Sequence, residues 1–397
     1  MIVHKLFLLA WLIDLTLFPV LALLDLGFSF NLSSNFYLRF SYLFIVFIAF
    51  FYLIAIKGRI VVTFLSVTFL FAFLIGSFKG LIEGHLNSAF LSHVFYTLMP
   101  LIMISYGWYF FDDYKKSVAI QKYLSLVMHL SFFSGLAIII LFQFAYRAGF
   151  ANYNAIGIWN LVFSGPFLVY REFGFLYFAL SVMVSLASGK RGTMIAFVAY
   201  GILAFWLTNL AGKIKYIALV TFALTFAFLV SSDFIATSAS RIYQTLVTLQ
   251  EYGIDQATSG RWSEAASAIS YLNSRIDHWI IGPGFGARFL PWPDRPDYAD
   301  YYSHYTHFGV VSYVWVGGLF MSCLIYAALL RTGISLGYKA KHHLISKTDY
   351  TFVFWLWGII AISMFGAVLM NNAYLWFIIG CCLNLDCRRI GLSSNAA

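Results

Sequence analysis

Apolar residues run through this chain in long blocks separated by short polar breaks, and only one polar stretch is long. A helix needs about 20 apolar residues to cross a bilayer, and fewer when it is packed inside a bundle. On that basis the pattern predicts twelve membrane-spanning helices. They lie at about 6–25, 38–56, 60–78, 90–111, 122–143, 154–170, 174–188, 193–211, 215–231, 308–330, 350–370 and 373–386. Gly165–Pro166 interrupts the sixth. The expected fold is an all-α polytopic membrane protein in which residues 1–397 form one integral membrane domain. Residues 232–307 form a large loop between the ninth and tenth spans.

Inside that loop, 259–281 reads as an amphipathic helix. Ser259 and Gly260 can cap its start, and Gly282–Pro283 ends it. Trp262, Ala265, Ile269, Leu272, Ile276 and Trp279 recur at three- and four-residue steps, a single stripe on a straight helix. That stripe is expected to lie against the bundle or the membrane interface.

Composition agrees with the pattern. The chain is 61% hydrophobic and only 10% charged, whereas soluble domains carry about 25% charged residues. A water-soluble globule and a disordered chain are both excluded. The net charge of +9 is then a question of placement, not a nucleic-acid signal. With the N-terminus inside, 15 Lys and Arg fall on the cytoplasmic side and 10 outside, five of the latter in the long loop. Loops of that length translocate largely regardless of charge, so both termini are expected inside and the loop outside. Its 76 residues hold five Arg and no Lys, against ten Lys and five Arg on the cytoplasmic side. Arg is favoured where planar contact with carboxylate or phosphate matters; pairing with the eight Asp and Glu of the loop is the plainer explanation. Residues 331–349 read as a basic cytoplasmic loop. Cys323, Cys381, Cys382 and Cys387 suggest neither a disulfide framework nor a metal site.

Candidate chemistry concentrates in the outer segments. Arg261 sits in the first turn of the 259–281 helix, where a cation opposes the helix dipole. Pairing with Glu264 explains it, and so does an anion held between the guanidinium and the helix N–H groups. Arg275 lies 14 residues later, about 21 Å along a straight helix at 1.5 Å per residue, so the two cannot grip one small anion. Asp277 is its expected partner. Gly282–Pro283–Gly284–Phe285–Gly286 permits tight turns or close backbone approach, and Arg288 follows it. His304 and His307 stand at the mouth of the tenth span, where an imidazole can act as a general base near neutral pH. Ser188–Gly189–Lys190–Arg191–Gly192 sets two cations in a short turn against the charge bias. Thirteen aromatic residues in 232–307 suit a sugar-binding groove or an interfacial belt. Asp14 is the one clear carboxylate within a span, a residue type that would suggest a transporter or flippase; such proteins also show internal repeats, and none is visible here.

These segments together resemble the O-antigen polymerase and O-antigen ligase family. The resemblance rests on the Ser–Gly–Lys–Arg–Gly turn at 188–192, Ser259–Gly260–Arg261–Trp262 opening a helix, Gly282–Pro283–Gly284–Phe285–Gly286, and His307 followed by Gly318. It covers about 188–325 and the twelve-span layout. Phe308 and Met321 depart from the family pattern. The resemblance implies a glycosyltransferase of the bacterial inner membrane with its site facing the periplasm. Its donor would be a glycan on undecaprenyl pyrophosphate. Its acceptor would be a lipid-linked repeat unit in a polymerase, or lipid A–core in a ligase. Arg191 and Arg261 would stabilise the pyrophosphate leaving group, and His307 would act as the base. Lys190, Arg288 and His304 would be second in rank. Inversion without a covalent intermediate, metal or cofactor is expected. Membrane lipid, and a chain-length regulator protein, would be partners, and nucleic acid would not.

Overall fold

The computed structural model describes residues 2–28, 34–147, 162–166, 178–182, 191–209, 212–214, 217, 221, 261–293, 301–366 and 372–388. Every regular element among them is a helix. We number the principal ones α1 (Ile2–Phe28), α2 (Ser34–Phe51), α3 (Phe64–Ile82), α4 (Ser88–Tyr114), α5 (Val118–Arg147) and α6 (Arg191–Leu207), then α7 (Arg261–Leu272), α8 (Ile276–Ile281), α9 (Gly309–Lys341), α10 (Tyr350–Phe365) and α11 (Ala373–Cys387). α3, α4 and α9 are long and apolar enough to cross a membrane. The expected spans 154–170, 174–188 and 215–231 fall largely outside the described residues, as do 222–260 and 294–300 of the loop region and Lys190. The count of twelve spans therefore rests on the sequence alone.

Local chemistry explains where several helices begin. Thr63 Oγ1 accepts from the Ser66 N–H at 3.0 Å and caps α3. Asn87 Oδ1 accepts from the Ala89 and Phe90 N–H groups and caps α4. Asn372 does the same for α11 through Tyr374 and Leu375. Each cap satisfies donors that have no partner inside the helix.

In lipid the apolar effect gives helices no reason to associate, so close backbone contact and polar links must do it. α11 packs along α4 through Gly107 and Gly380; a Cβ on either would strike backbone of the other helix. Asp14, buried in α1, accepts from Ser41 Oγ on α2 and from Tyr374 Oη on α11, each at 2.6 Å. Those hydroxyls tie three helices around a buried acid. At the end where α4 and α11 finish, Arg388 pairs with Asp112 at 2.7 Å and Lys115 with Asp349 at 2.6 Å.

Three expectations need correction. The 331–349 stretch is a connection only from 342 on: α9 continues to Lys341, because its buried face persists through Thr332, Leu336 and Ala340. The 259–281 segment is not one helix. It breaks after Leu272, Arg275 adopts an extended backbone (φ −151°, ψ 138°), and α8 starts afresh at Ile276. The expected stripe fails in both parts: Ala265 and Leu272 are buried, while Trp262 of α7 itself and Ile276 of α8 are exposed. The buried face of α7 also includes Glu264 and Ala268.

α9 carries its own break. Gly317 and Gly318 are non-helical, and Gly318 has φ +74° with its Cα against the Ile280 carbonyl of α8. Only glycine fits that conformation and that approach. The break seats α8 against the middle of α9.

Candidate functional site

The start of α9 meets the first turn of α7. Phe308 at the N-cap of α9 offers no side-chain acceptor. Thr306 and Ser312 organise the entry instead: the Thr306 N–H donates to Ser312 Oγ at 3.1 Å, and Thr306 Oγ1 donates to the Phe308 carbonyl at 2.9 Å. This fixes His307 between them. The His307 backbone N–H donates to Glu264 Oε2 at 3.0 Å, and His307 Nδ1 lies 2.8 Å from the same oxygen. The carboxylate is 3% exposed and the imidazole 49%. One edge of the ring is held by a buried acid and the other faces out.

Arg261 opens α7, exposed, three residues before Glu264, about 4.5 Å along the axis. α7 itself is anchored: Ser267 Oγ donates to the Leu290 carbonyl at 2.7 Å, and Tyr271 packs on Trp315 of α9 with ring centres 5.1 Å apart. Above it the chain folds back on itself. Phe289 and Ser303 exchange two backbone hydrogen bonds of 2.9 Å, and Trp292 stacks on Tyr301 at 5.6 Å. Tyr301, Tyr302 and Trp262 are all exposed near this entry.

The structure separates the two histidines. His304 is half-buried, with its ring stacked on Tyr96 of α4 at 6.2 Å and next to His93 at 5.7 Å. Its carbonyl accepts from His93 Nε2 at 2.8 Å. His93 Nδ1 accepts the Gly286 N–H at 3.1 Å, which assigns the proton to Nε2. His93 is thus a buried clamp between two segments. It lies within the apolar run of α4, where a histidine marks a functional candidate, and no spacing pattern in the sequence singles it out. The sequence offers Glu264 as a partner for Arg261; its hold on His307, 43 residues away, carries no local sequence signal.

The glycine-rich loop also has a different role from a ligand cradle. Phe285, fully buried, inserts against α3 at Gly76 and Gly80, and its N–H donates to the Gly76 carbonyl at 2.9 Å. Gly286, with φ +86°, lies against the His85 carbonyl. The backbone approaches helices here. Arg288 is exposed and donates to Ser88 Oγ at 2.8 Å, at the start of α4. Arg191 opens α6, but its side chain is outside the described residues, as is Lys190.

A second charged cluster sits beside the loop. Lys79 of α3 donates to Asp277 at 2.6 Å and to the Gly282 carbonyl at 2.7 Å. Arg275 donates to both oxygens of Asp277 and to Glu83 Oε1. The hydrogen bond from Lys79, seconded by Arg275, holds the Asp277 carboxyl at about 2. Burial lowers the affinity of His278 for a proton. Glu83, Asp277 and His278 have ligand-type atoms within 4.8 Å of one another. The Arg275 guanidinium already lies between the two carboxylates, however, so the cluster is an ion-pair clamp joining α8 to the end of α3. No protein-family model, curated protein or solved structure matches the chain.

Proposed function

We propose that the chain is a membrane glycosyltransferase that joins glycans carried on undecaprenyl pyrophosphate. The observation that carries this is the seating of an exposed His307 ring beside the first turn of α7, where Arg261 lies. In this reading His307 is the base and Arg261 the cation at one mouth of the bundle, and the exposed Trp262, Tyr301 and Tyr302 rings offer faces suited to sugars. In this reading an acceptor sugar hydroxyl attacks the anomeric carbon of the donor. The new C–O bond forms as the bond to pyrophosphate breaks, and the leaving group departs with the electron pair. His307 takes the hydroxyl proton. Arg261, with Arg191, stabilises the charge growing on the pyrophosphate. Displacement in one step inverts the anomeric centre.

Polymerisation of lipid-linked repeat units is our preferred reaction. The test is the surface glycan profile of a strain deleted for this gene, before and after the gene is restored. A core carrying a single repeat unit supports polymerisation. Bare core with accumulated long lipid-linked chains makes the protein a ligase. An unchanged profile overturns the reading.

A further inference from the structure

We infer that Glu264 is the positioning residue for His307: it holds the imidazole with its proton on Nδ1, so that Nε2 presents the lone pair to the acceptor hydroxyl. The inference rests on the glycosyltransferase reading and assigns a role that reading does not require.

The geometry supports it in three steps. Glu264 Oε2 accepts the backbone N–H of His307 and is therefore an acceptor at that site. The same oxygen lies 2.8 Å from Nδ1, so Nδ1 is the donor and the neutral ring keeps its lone pair on Nε2. The exposed edge of the ring is the Nε2 side, because the carboxylate at Nδ1 is buried. A ring bonded through Nδ1 and pinned at its own backbone N–H has little freedom to turn away.

Placement of the acid is informative too. A carboxylate buried to 3% exposure is costly unless it is well provided with donors. Glu264 lies in the first turn of α7, where the helix dipole favours a negative charge. When the ring takes the acceptor's proton it becomes an imidazolium, and the buried carboxylate faces that new charge across one hydrogen bond. The proton then leaves from Nε2 to water. The groups placed against the ring are Glu264 and Tyr305, whose ring centre is 5.9 Å away, and Arg261 lies one turn before Glu264 on α7.

A merely structural Glu264 would pin the entry of α9 and nothing else. The two roles separate in Glu264→Gln, which keeps an acceptor oxygen and removes the charge. The substrate is lipid-linked oligosaccharide extracted from the deletion strain, with the full-length protein in nanodiscs. Glu264→Gln should lower kcat about 10- to 100-fold, part of the factor a general base supplies, with KM little changed. The acid limb of its pH profile should move to lower pH, because the imidazolium loses its anion. Glu264→Asp should keep the acid limb near its wild-type position and lose kcat through the shorter reach. A readout independent of turnover is the pH dependence of His307 modification by diethylpyrocarbonate; in Glu264→Gln its midpoint should fall, and in Glu264→Asp it should stay. If Glu264→Gln does not accumulate, a Glu264→Asp midpoint displaced from that of the wild type overturns the inference, and a retained midpoint supports it. A Gln variant with wild-type kcat and an unmoved acid limb, alongside an inactive His307→Ala, overturns this inference alone. An active His307→Ala overturns the glycosyltransferase reading itself.

Discussion

The two ends of one short segment treat the same three residue types in opposite ways. At α8, Arg275, Asp277, Glu83 and Lys79 neutralise one another, and His278 is buried beside them. At the start of α7, Glu264 is buried and aimed at His307, whose ring stands half in the open. Both clusters contain an Arg, a carboxylate and a His. The first closes a loop onto the bundle. The second leaves a basic nitrogen facing outward, which is what a proton-transfer site needs. Composition alone cannot tell these apart; the direction in which each carboxylate points does.

The sharpest way to break the comparison is to exchange histidines for alanine. His307→Ala is expected to lower glycan joining about 10²- to 10⁴-fold, the usual contribution of a general base. His278→Ala should leave the rate of joining nearly intact and lower thermal stability instead. Turnover of extracted lipid-linked oligosaccharide and the melting midpoint of the purified protein measure the two. Loss of activity in both variants would erase the distinction.

The arginines offer the second contrast. Arg261→Ala is expected to cost about 10²-fold or more, by analogy with removal of an oriented donor to a developing anion. Arg275→Ala should leave activity near wild type, because its guanidinium is engaged with Asp277 and Glu83. Complete loss in Arg275→Ala would move the anion site to α8.

A third test concerns the loop between the clusters. Gly286→Ala places a Cβ on the His85 carbonyl at φ +86°. Strain of that kind costs about 1–3 kcal/mol, read as a lower melting midpoint. Asn87 Nδ2, which donates to the Gly286 carbonyl at 3.0 Å, and His93, which accepts its N–H, should be disturbed with it. An unchanged midpoint would mean that the loop is not held by these contacts.

Much of the fold was legible in the sequence because helix formation in an apolar chain is local. The run at 60–78 became α3 and that at 90–111 became α4, each displaced by a few residues to a capping Thr63 or Asn87. The kink at Asn273–Arg275 was not legible. A stripe at helical spacing continues across it on paper, and only the pull of Lys79 and Glu83 on Asp277 and Arg275 shows why the chain turns there. The site was half legible. Arg261 at a helix start and His307 at a helix mouth are visible as local patterns. The hold of Glu264 on His307 is not, because the two are 43 residues apart and the contact exists only once α7 and α9 have packed. The glycine-rich loop was legible as a place of close approach, but what approaches is a helix.

The smallest effect separates the clusters by acid. Burial holds His278 below its ordinary value of 6.5, so the unfolded chain takes up a proton first as pH falls. Stability is therefore lost from about pH 6.5 downward, until the folded His278 protonates as well. Asp277, held at about 2, adds a loss that begins near its ordinary value of 3.8 and ends near 2. The melting midpoint should fall between pH 7 and 5, and His278→Asn should flatten that slope without touching the steeper fall below pH 4. A slope that persists unchanged in His278→Asn would mean that α8 is not the part of the molecule that protonation unlocks.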